Sequence, residues 1–236
     1  MKPEYKRVLI KLSGEGLAGK GQTGLDAELI DKVATDISCV AELGVQVCVV
    51  VGGGNFFRGA KNATAAMDRS VADQIGMMAT VMNALALRSA LQRLGMKTTV
   101  YSGFPVPQAC QTYQFEKAMQ SLESGETVIF AGGTGNPYFT TDSGAALRAI
   151  EMHCDVLMKA TQVDGVYDSD PRYNKEAKRY DEISYAEVLE KHLNVMDLTA
   201  VALAGDNHLP IMVFALNEEN ALLKAVCGKN KRTIIK

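Results

Sequence analysis

Short apolar runs and amphipathic stretches alternate along almost the whole chain. Segments 7–12, 45–51, 97–101, 127–131, 155–159, 210–215 and 232–235 read as strands. The first is mostly apolar with little alternation, as expected for a parallel strand buried on both faces. Between them, Leu29, Ile30, Val33, Ile37 and Val40 recur at helical spacing over 26–43, and Gly44 marks the stop. Segment 63–94 predicts two helices or one kinked helix, carrying Met67, Met77, Met78 and Met82. Such methionines usually fill a core, and less often a subunit interface. Further helices are predicted over 113–122, 143–153, 184–191, 197–205 and 218–226, with Ser184 and Glu187 placed as a capping box. Segment 13–24 holds five glycines and cannot be helical, and 162–180 reads as irregular, with turns at Asp164-Gly165 and Asp170-Pro171. Strand–helix alternation predicts an α/β fold with an open, mostly parallel sheet and helices on both faces. With no linker or low-complexity stretch in 236 residues, one domain is the economical division.

Composition narrows the function. Apolar residues make up 47%, enough for a full core, and a net charge of −2 argues against a general nucleic-acid or membrane-surface binder. Cys39, Cys48, Cys110, Cys154 and Cys227 are scattered and lack C-x-x-C spacing, which fits reduced thiols rather than disulfides or zinc. The three histidines are also scattered, so no His-based metal site is expected. No segment has the length and apolarity of a signal peptide or a membrane span, and a cytoplasmic protein is expected.

The chemistry gathers where strands end. After 127–131 come Gly132, Gly133 and Gly135, then Pro137, then Thr140, Thr141, Asp142 and Ser143, each a good N-cap for a helix starting near Gly144. Strand, glycine bend and helix amino end together suit an anion, although an ordinary βα loop has the same ingredients. Segment 45–51 runs into Gly52, Gly53, Gly54 and Asn55 in the same way. Gly14-x-Gly16-x-x-Gly19 imitates a dinucleotide fingerprint, but no helix opens inside it and the second strand ends in glycines rather than an acid. A phosphate loop of the Walker type also fails, because Gly21 stands where a hydroxyl must hold magnesium. Lys11 lies near the end of the first strand, a poor place for an ammonium unless it reaches a ligand or snorkels to water. Arg58 follows the second glycine group and can grip a phosphate with two N–H groups, or it is a solvated loop residue. These parts suit phosphoryl transfer, which needs positioning and charge neutralisation above all.

Taken together, the segments resemble the bacterial uridylate kinases of the amino-acid-kinase superfamily. The resemblance rests on Lys11-Leu12-Ser13-Gly14-Glu15, on Gly52-Gly53-Gly54-Asn55-Phe56-Phe57-Arg58-Gly59, and on Ala72-Asp73-Gln74-Ile75-Gly76-Met77 with Asn83. It continues through 132–142 and 159–171 and so runs nearly end to end. It implies a three-layer sandwich like that of carbamate kinases. The implied reaction is transfer of the γ-phosphate of ATP to UMP with Mg²⁺, in a homohexamer activated by GTP and inhibited by UTP. The amino-terminal half would serve mainly the nucleoside monophosphate and the carboxy-terminal half mainly ATP. The resemblance places Lys11, Leu12, Ser13, Gly14, Gly54, Arg58, Thr161, Tyr167 and Asp170 around ATP. It places Gly53, Asp73, Thr134, Gly135, Asn136, Pro137, Tyr138, Phe139, Thr140 and Thr141 around UMP. Lys11, Arg58 and Asp142 would be catalytic, Asp142 by orienting the lysine. Gly19, Lys20, Gly21, Gln22, Thr23 and Gly24 correspond to the region linked to GTP. Gly16 departs from the alanine usual at its position. A carboxylate or carbamate kinase of the same fold, or a non-catalytic nucleotide sensor, are the competing expectations; the Asp73 segment argues against the first, and the presence of both Lys11 and Asp142 against the second.

Overall fold

The computed structural model describes residues 1–18, 23–57, 67–193, 195–216 and 218–236. Arg58 and four residues of the GTP-linked loop (Gly19, Lys20, Gly21 and Gln22) lie outside the described residues.

The strands are β1 (Arg7–Leu12), β2 (Gln46–Val51), β3 (Thr98–Ser102), β4 (Gln111–Thr112), β5 (Thr127–Ala131) and β6 (Val156–Thr161). They continue with β7 (Val166–Tyr167), β8 (Arg179–Tyr180), β9 (Glu182–Ile183), β10 (Ile211–Ala215) and β11 (Arg232–Ile235). Among the described residues, nine of them form one sheet in the order β4-β3-β5-β2-β1-β6-β10-β11-β9. Every neighbouring pair in it is parallel except β10 with β11. The helices are α1 (Ala27–Ala41), α2 (Arg69–Arg93), α3 (Phe115–Glu123), α4 (Thr141–Glu151), α5 (Tyr185–Glu190), α6 (Leu198–Asp206) and α7 (Ala221–Val226).

Alternation along β1 shows how the layers form. Val8, Ile10 and Leu12 join the core under α1, α2 and α7, while Leu9 joins the opposite core under α3, α4 and α6. Lys11 shares the parity of Leu9 and therefore points to the α4 side. β1 is central: β2 lies on one side and β6 on the other, so the chain reverses its direction of travel across the sheet here. In an open parallel sheet such a reversal leaves a crevice at the carboxyl ends of the strands. The loops after β1, β2, β5 and β6 all open onto that edge.

The structure refines several expected elements. One continuous helix, α2, accounts for 69–93, with Asp68 as its N-cap. The expected helix over 143–153 begins earlier, at Thr141, because Thr140 takes the cap by accepting from Asp142 N and Ser143 N. Segment 162–180 is not wholly irregular: β7 and β8 pair antiparallel within it. Strands β4 and β9 have two residues each, too few to show a period. The capping box at Ser184 and Glu187 is present. His153, His192 and His208 each follow a helix in the left-handed region, at φ 52°, 48° and 51°, where glycine or asparagine is commoner.

A buried amide pair locks the first two glycine loops together. Asn83, fully buried on α2, donates to Gly52 O at 2.6 Å and to Asn55 Oδ1 at 2.7 Å. Asn55 returns a bond to Asn83 Oδ1 at 3.0 Å and donates to Gly24 O at 2.6 Å. A Cβ on Gly14 would lie 2.5 Å from Asn55 Oδ1 and 2.6 Å from Gly52 O, so glycine there lets two backbones touch. Replacing Asn83 by alanine removes these partners inside the protein. Asn83→Ala is expected to cost about 2–3 kcal/mol, the penalty for stranding buried polar groups. Urea unfolding measures it, and a cost below about 0.5 kcal/mol would show that the pair is incidental.

Candidate active site

Lys11 on β1 and Lys159 on β6 are direct partners in the parallel register. Both side chains therefore leave the sheet side by side at its carboxyl edge. Asp142, in the first turn of α4, reaches down between them. Its Oδ1 lies 2.7 Å from Lys11 Nζ and its Oδ2 2.6 Å from Lys159 Nζ. All three side chains are 13% exposed. Lys159 Nζ also donates to Val195 O.

The charges explain the electrostatics. Burial pushes the Asp142 carboxyl up, but the Lys11 and Lys159 ammoniums together outweigh it and hold the group below the ordinary carboxylate value. Lys159 titrates below the usual lysine value. Burial is the larger cause, and Asp142 opposes it only in part while Lys11 adds repulsion. The two directions are consistent because one carboxylate is shared by two cations. The two lysines and Asp142 sum to one net positive charge, which Asp197 offsets in part, in a place where water screens it weakly. An anion set between the lysines would relieve both.

Helix α4 adds to this field. Its amino end carries the positive end of the helix dipole, with Asp142 N and Ser143 N held by the Thr140 cap. Asp197, the N-cap of α6, fixes that end from the side: Ser143 Oγ donates to its Oδ1 at 3.0 Å, and Thr140 Oγ1 donates to Oδ2. Ala145, Ala146 and Ala149 are fully buried, and their small size seats α4 close on the sheet, within reach of Lys11 and Lys159.

On one side of the lysines lies the loop after β5. Gly132 N donates to Thr80 Oγ1 of α2 at 2.7 Å, and Tyr138 N donates to Asp73 Oδ2 of α2 at 2.9 Å. The bend thus runs along α2 between two anchors, which brings Tyr138 onto Asp73. On the other side, a cleft of about 580 Å³ is lined by Lys159, Thr161, Tyr167, Asp170, Val195 and Val213, among others. Tyr167 OH donates to Asp164 Oδ1 at 2.6 Å, and Asp170 is paired with Arg172 at the rim. The cleft and the loop after β5 therefore flank the Lys11–Asp142–Lys159 cluster.

The structure brings Lys11, Gly14, Gly53, Gly54 and Asp142 to one edge, with Thr161, Tyr167 and Asp170 in the adjoining cleft. Sequence reasoning missed Lys159, Thr80 and Asp197. Lys159 carried a signal, since it interrupts an apolar run as Lys11 does. The contacts of Asp197 with Thr140 and Ser143 join segments more than fifty positions apart and leave no local trace.

Residues 6–215 match the amino acid kinase family. The uridylate kinase of Paramagnetospirillum magneticum is 50% identical over 232 residues, covering 98% of this chain and 97% of that protein. The uridylate kinase of Rickettsia typhi is 52% identical over 232 residues, with 98% and 95% covered. Among solved structures, UMP kinase from Bacillus anthracis superposes with a TM-score of 0.93 at 38% identity, covering 98% of this chain and 96% of that one. UMP kinase from Ureaplasma parvum gives the same TM-score and identity over the full length of both chains. A mostly parallel sheet that reverses at β1, with a cationic cluster at its carboxyl edge, accords with a kinase of the amino-acid-kinase type. The chain belongs to the amino acid kinase family, as an enzyme of its uridylate kinase branch.

Asp142→Asn leaves two lysines at a buried site without their counter-charge, and the expected cost at pH 7 is about 3 kcal/mol. Because folded Asp142 titrates below the ordinary 3.8, its contribution is complete above that pH and is lost as pH falls through the lower folded value. The gap between wild type and mutant should therefore be constant near neutrality and close only below 3.8. Urea unfolding across pH tests this, and equal stabilities at pH 7 would refute it.

Proposed function

We propose that the protein transfers the γ-phosphate of ATP to UMP, giving ADP and UDP. The observation that carries this reading is the placement of Lys11, Asp142 and Lys159 between a cleft on one side and the Asp73-anchored loop on the other. ATP occupies the cleft of Thr161, Tyr167 and Asp170, with its phosphates toward Lys11, Leu12, Ser13, Gly14 and Gly54. Arg58 is assigned to the same phosphates from the sequence alone. UMP lies against Gly53, Asp73 and Thr134 to Thr141. An oxygen of the UMP phosphate attacks the γ-phosphorus, the bond from that phosphorus to the β,γ-bridging oxygen breaks, and ADP leaves with the electron pair. The attacking phosphate is already ionised near neutral pH, so no general base is needed. Lys11 and Lys159 offset the charge of the transferred group, and Asp142 holds both ammoniums in place.

Magnesium fits this arrangement as a companion of the nucleotide. Among the described residues no group of three His, Cys, Asp or Glu side chains is placed to cage a metal, and Asp142 is already engaged by the lysines. Such a Mg²⁺ ion would be held chiefly by the nucleotide's phosphate oxygens and would neutralise their charge, with Asp142 available to orient it.

Regulation by GTP and UTP completes the reading. Thr23 and Gly24 end the GTP-linked loop, and Gly24 exchanges two hydrogen bonds with Asn55: Gly24 N donates to Asn55 O at 3.1 Å and Asn55 Nδ2 donates back at 2.6 Å. A change in the loop thus has a short path to the glycines after β2. Among the described residues no helix is long and apolar enough to cross a membrane; the proposed cytoplasmic location rests on the kinship to uridylate kinases.

A coupled ADP-release assay with UMP, CMP and N-acetylglutamate tests the whole assignment. UMP should be the substrate, with CMP at least ~10³-fold poorer in kcat/KM, because fixed backbone groups of the loop match only one base pattern. Asn136→Ala should weaken UMP use and leave UMP preferred. Lys11→Ala should lower kcat by ~10²-fold or more. GTP should raise the rate and UTP lower it. Comparable rates for CMP and UMP, or phosphorylation of N-acetylglutamate, would overturn the substrate assignment. Rates unchanged by GTP would overturn the regulatory part alone.

The protein is further proposed to be a homohexamer. Val71, Ile75, Met78 and Met82 form an apolar stripe on the outer face of α2, 47%, 38%, 44% and 45% exposed. The inner face of α2 fills the core, so the stripe is left for a second copy. Light scattering should give a mass several times 25.4 kDa at micromolar protein, and a monomer would refute assembly.

A further inference from the structure

The loop after β5 has an unusual backbone. Gly132, Gly133 and Gly135 lie in the left-handed region at φ 72°, 56° and 86°, as glycines readily do. Tyr138 lies there too, at φ 71°, although a bulky side chain resists this conformation. Core packing does not hold it, because Tyr138 is 65% exposed. A hydrogen bond does: Tyr138 N donates to Asp73 Oδ2 at 2.9 Å, bridging 65 positions of sequence. That same Oδ2 accepts from Arg69 Nε at 2.8 Å. The Arg69 guanidinium also stands 5.5 Å from the centroid of the Tyr138 ring. Arg69 therefore touches both ends of the link, the carboxylate and the aromatic face.

We propose that Arg69 is a positioning residue of the acceptor site, which holds Asp73 and Tyr138 so that the loop 132–140 keeps its binding shape. An i, i+4 ion pair on a helix surface is ordinarily worth little. Here the acceptor is not on the surface: the Asp73 side chain is 12% exposed, against 41% for Arg69. Both contacts fall on Oδ2, so Oδ1 is the oxygen that the pair leaves aimed elsewhere. With Arg69 in place the carboxylate cannot swing, and its second oxygen keeps one direction. Without Arg69 the carboxylate turns, the bond to Tyr138 N weakens, and the tyrosine backbone relaxes out of the left-handed region. The loop that reads the acceptor then loses its shape, while the ATP cleft, on the other side of Lys159, does not.

This inference rests on the UMP kinase reading, and the test separates the two. Initial rates and calorimetric UMP binding are compared for wild type, Arg69→Gln and Arg69→Lys, with thermal unfolding as a control. Activity of the wild type on UMP establishes the reading itself; its absence overturns that reading and this inference with it. For Arg69→Gln, KM and Kd for UMP should rise about tenfold, the size of one charge-assisted hydrogen bond. The KM for ATP and the unfolding temperature should stay unchanged, and kcat should change far less than KM. Arg69→Lys, which keeps the charge but not the planar N–H group, should fall between wild type and Arg69→Gln. UMP parameters within twofold of wild type would overturn the proposal. So would an equal rise in KM for ATP, or a loss of fold, since either marks a general structural role.

Discussion

Among the described residues, two lysines at the edge of a mostly parallel sheet share the Asp142 carboxylate as their ion-pair partner, and much of the rest is arranged around it. Lys11 and Lys159 are adjacent because β1 and β6 pair in parallel register. Asp142 reaches both because α4 begins directly above them. Placing two cations together in a poorly hydrated spot is costly, and Lys159 registers this by giving up its proton more readily than a free lysine. In the proposed reaction the transferred phosphoryl group supplies the missing negative charge. The arrangement is thus strained alone and satisfied by the reacting group, which is what electrostatic catalysis requires.

Helix α2 carries the second constraint. Asn83 grips the loop after β2, Thr80 the start of the loop after β5, and Asp73 the far end of that loop. These three side chains lie along one helix, which makes the two loops a single rigid cradle. The opposite face of the same helix bears Val71, Ile75, Met78 and Met82. The same helix is therefore apolar on its outer face and loop-binding on its inner one.

The strands were readable because each is a nearly unbroken apolar run of four to six residues in β1, β2, β5, β6 and β10. Lys11 was readable as a charge in the wrong place, and the same argument reaches Lys159. Gly52, Gly53 and Gly54 and the bend at Gly132 were readable as backbone left bare. Strands β4, β7, β8 and β9 were not, since two residues carry no period. The start of α4 is not fixed by the sequence, because four consecutive residues can cap a helix; Thr140 is the one whose Oγ1 accepts from Asp142 N and Ser143 N.

Local sequence thus determined the alternation of strands and helices, the parallel sheet, and which residue types stand at its carboxyl edge. These follow from periodicity and from the conformational freedom of glycine, both of which act over a few neighbours. Tertiary structure decided which of those residues meet. The order of strands set Lys11 beside Lys159, and the seating of a small-faced helix put Asp142 between them. The pairing of Arg69 with Asp73 lies four residues apart on one helix, yet its consequence falls on Tyr138, 65 positions from Asp73. Contacts of that range depend on the folded path of the chain, and no local pattern encodes them.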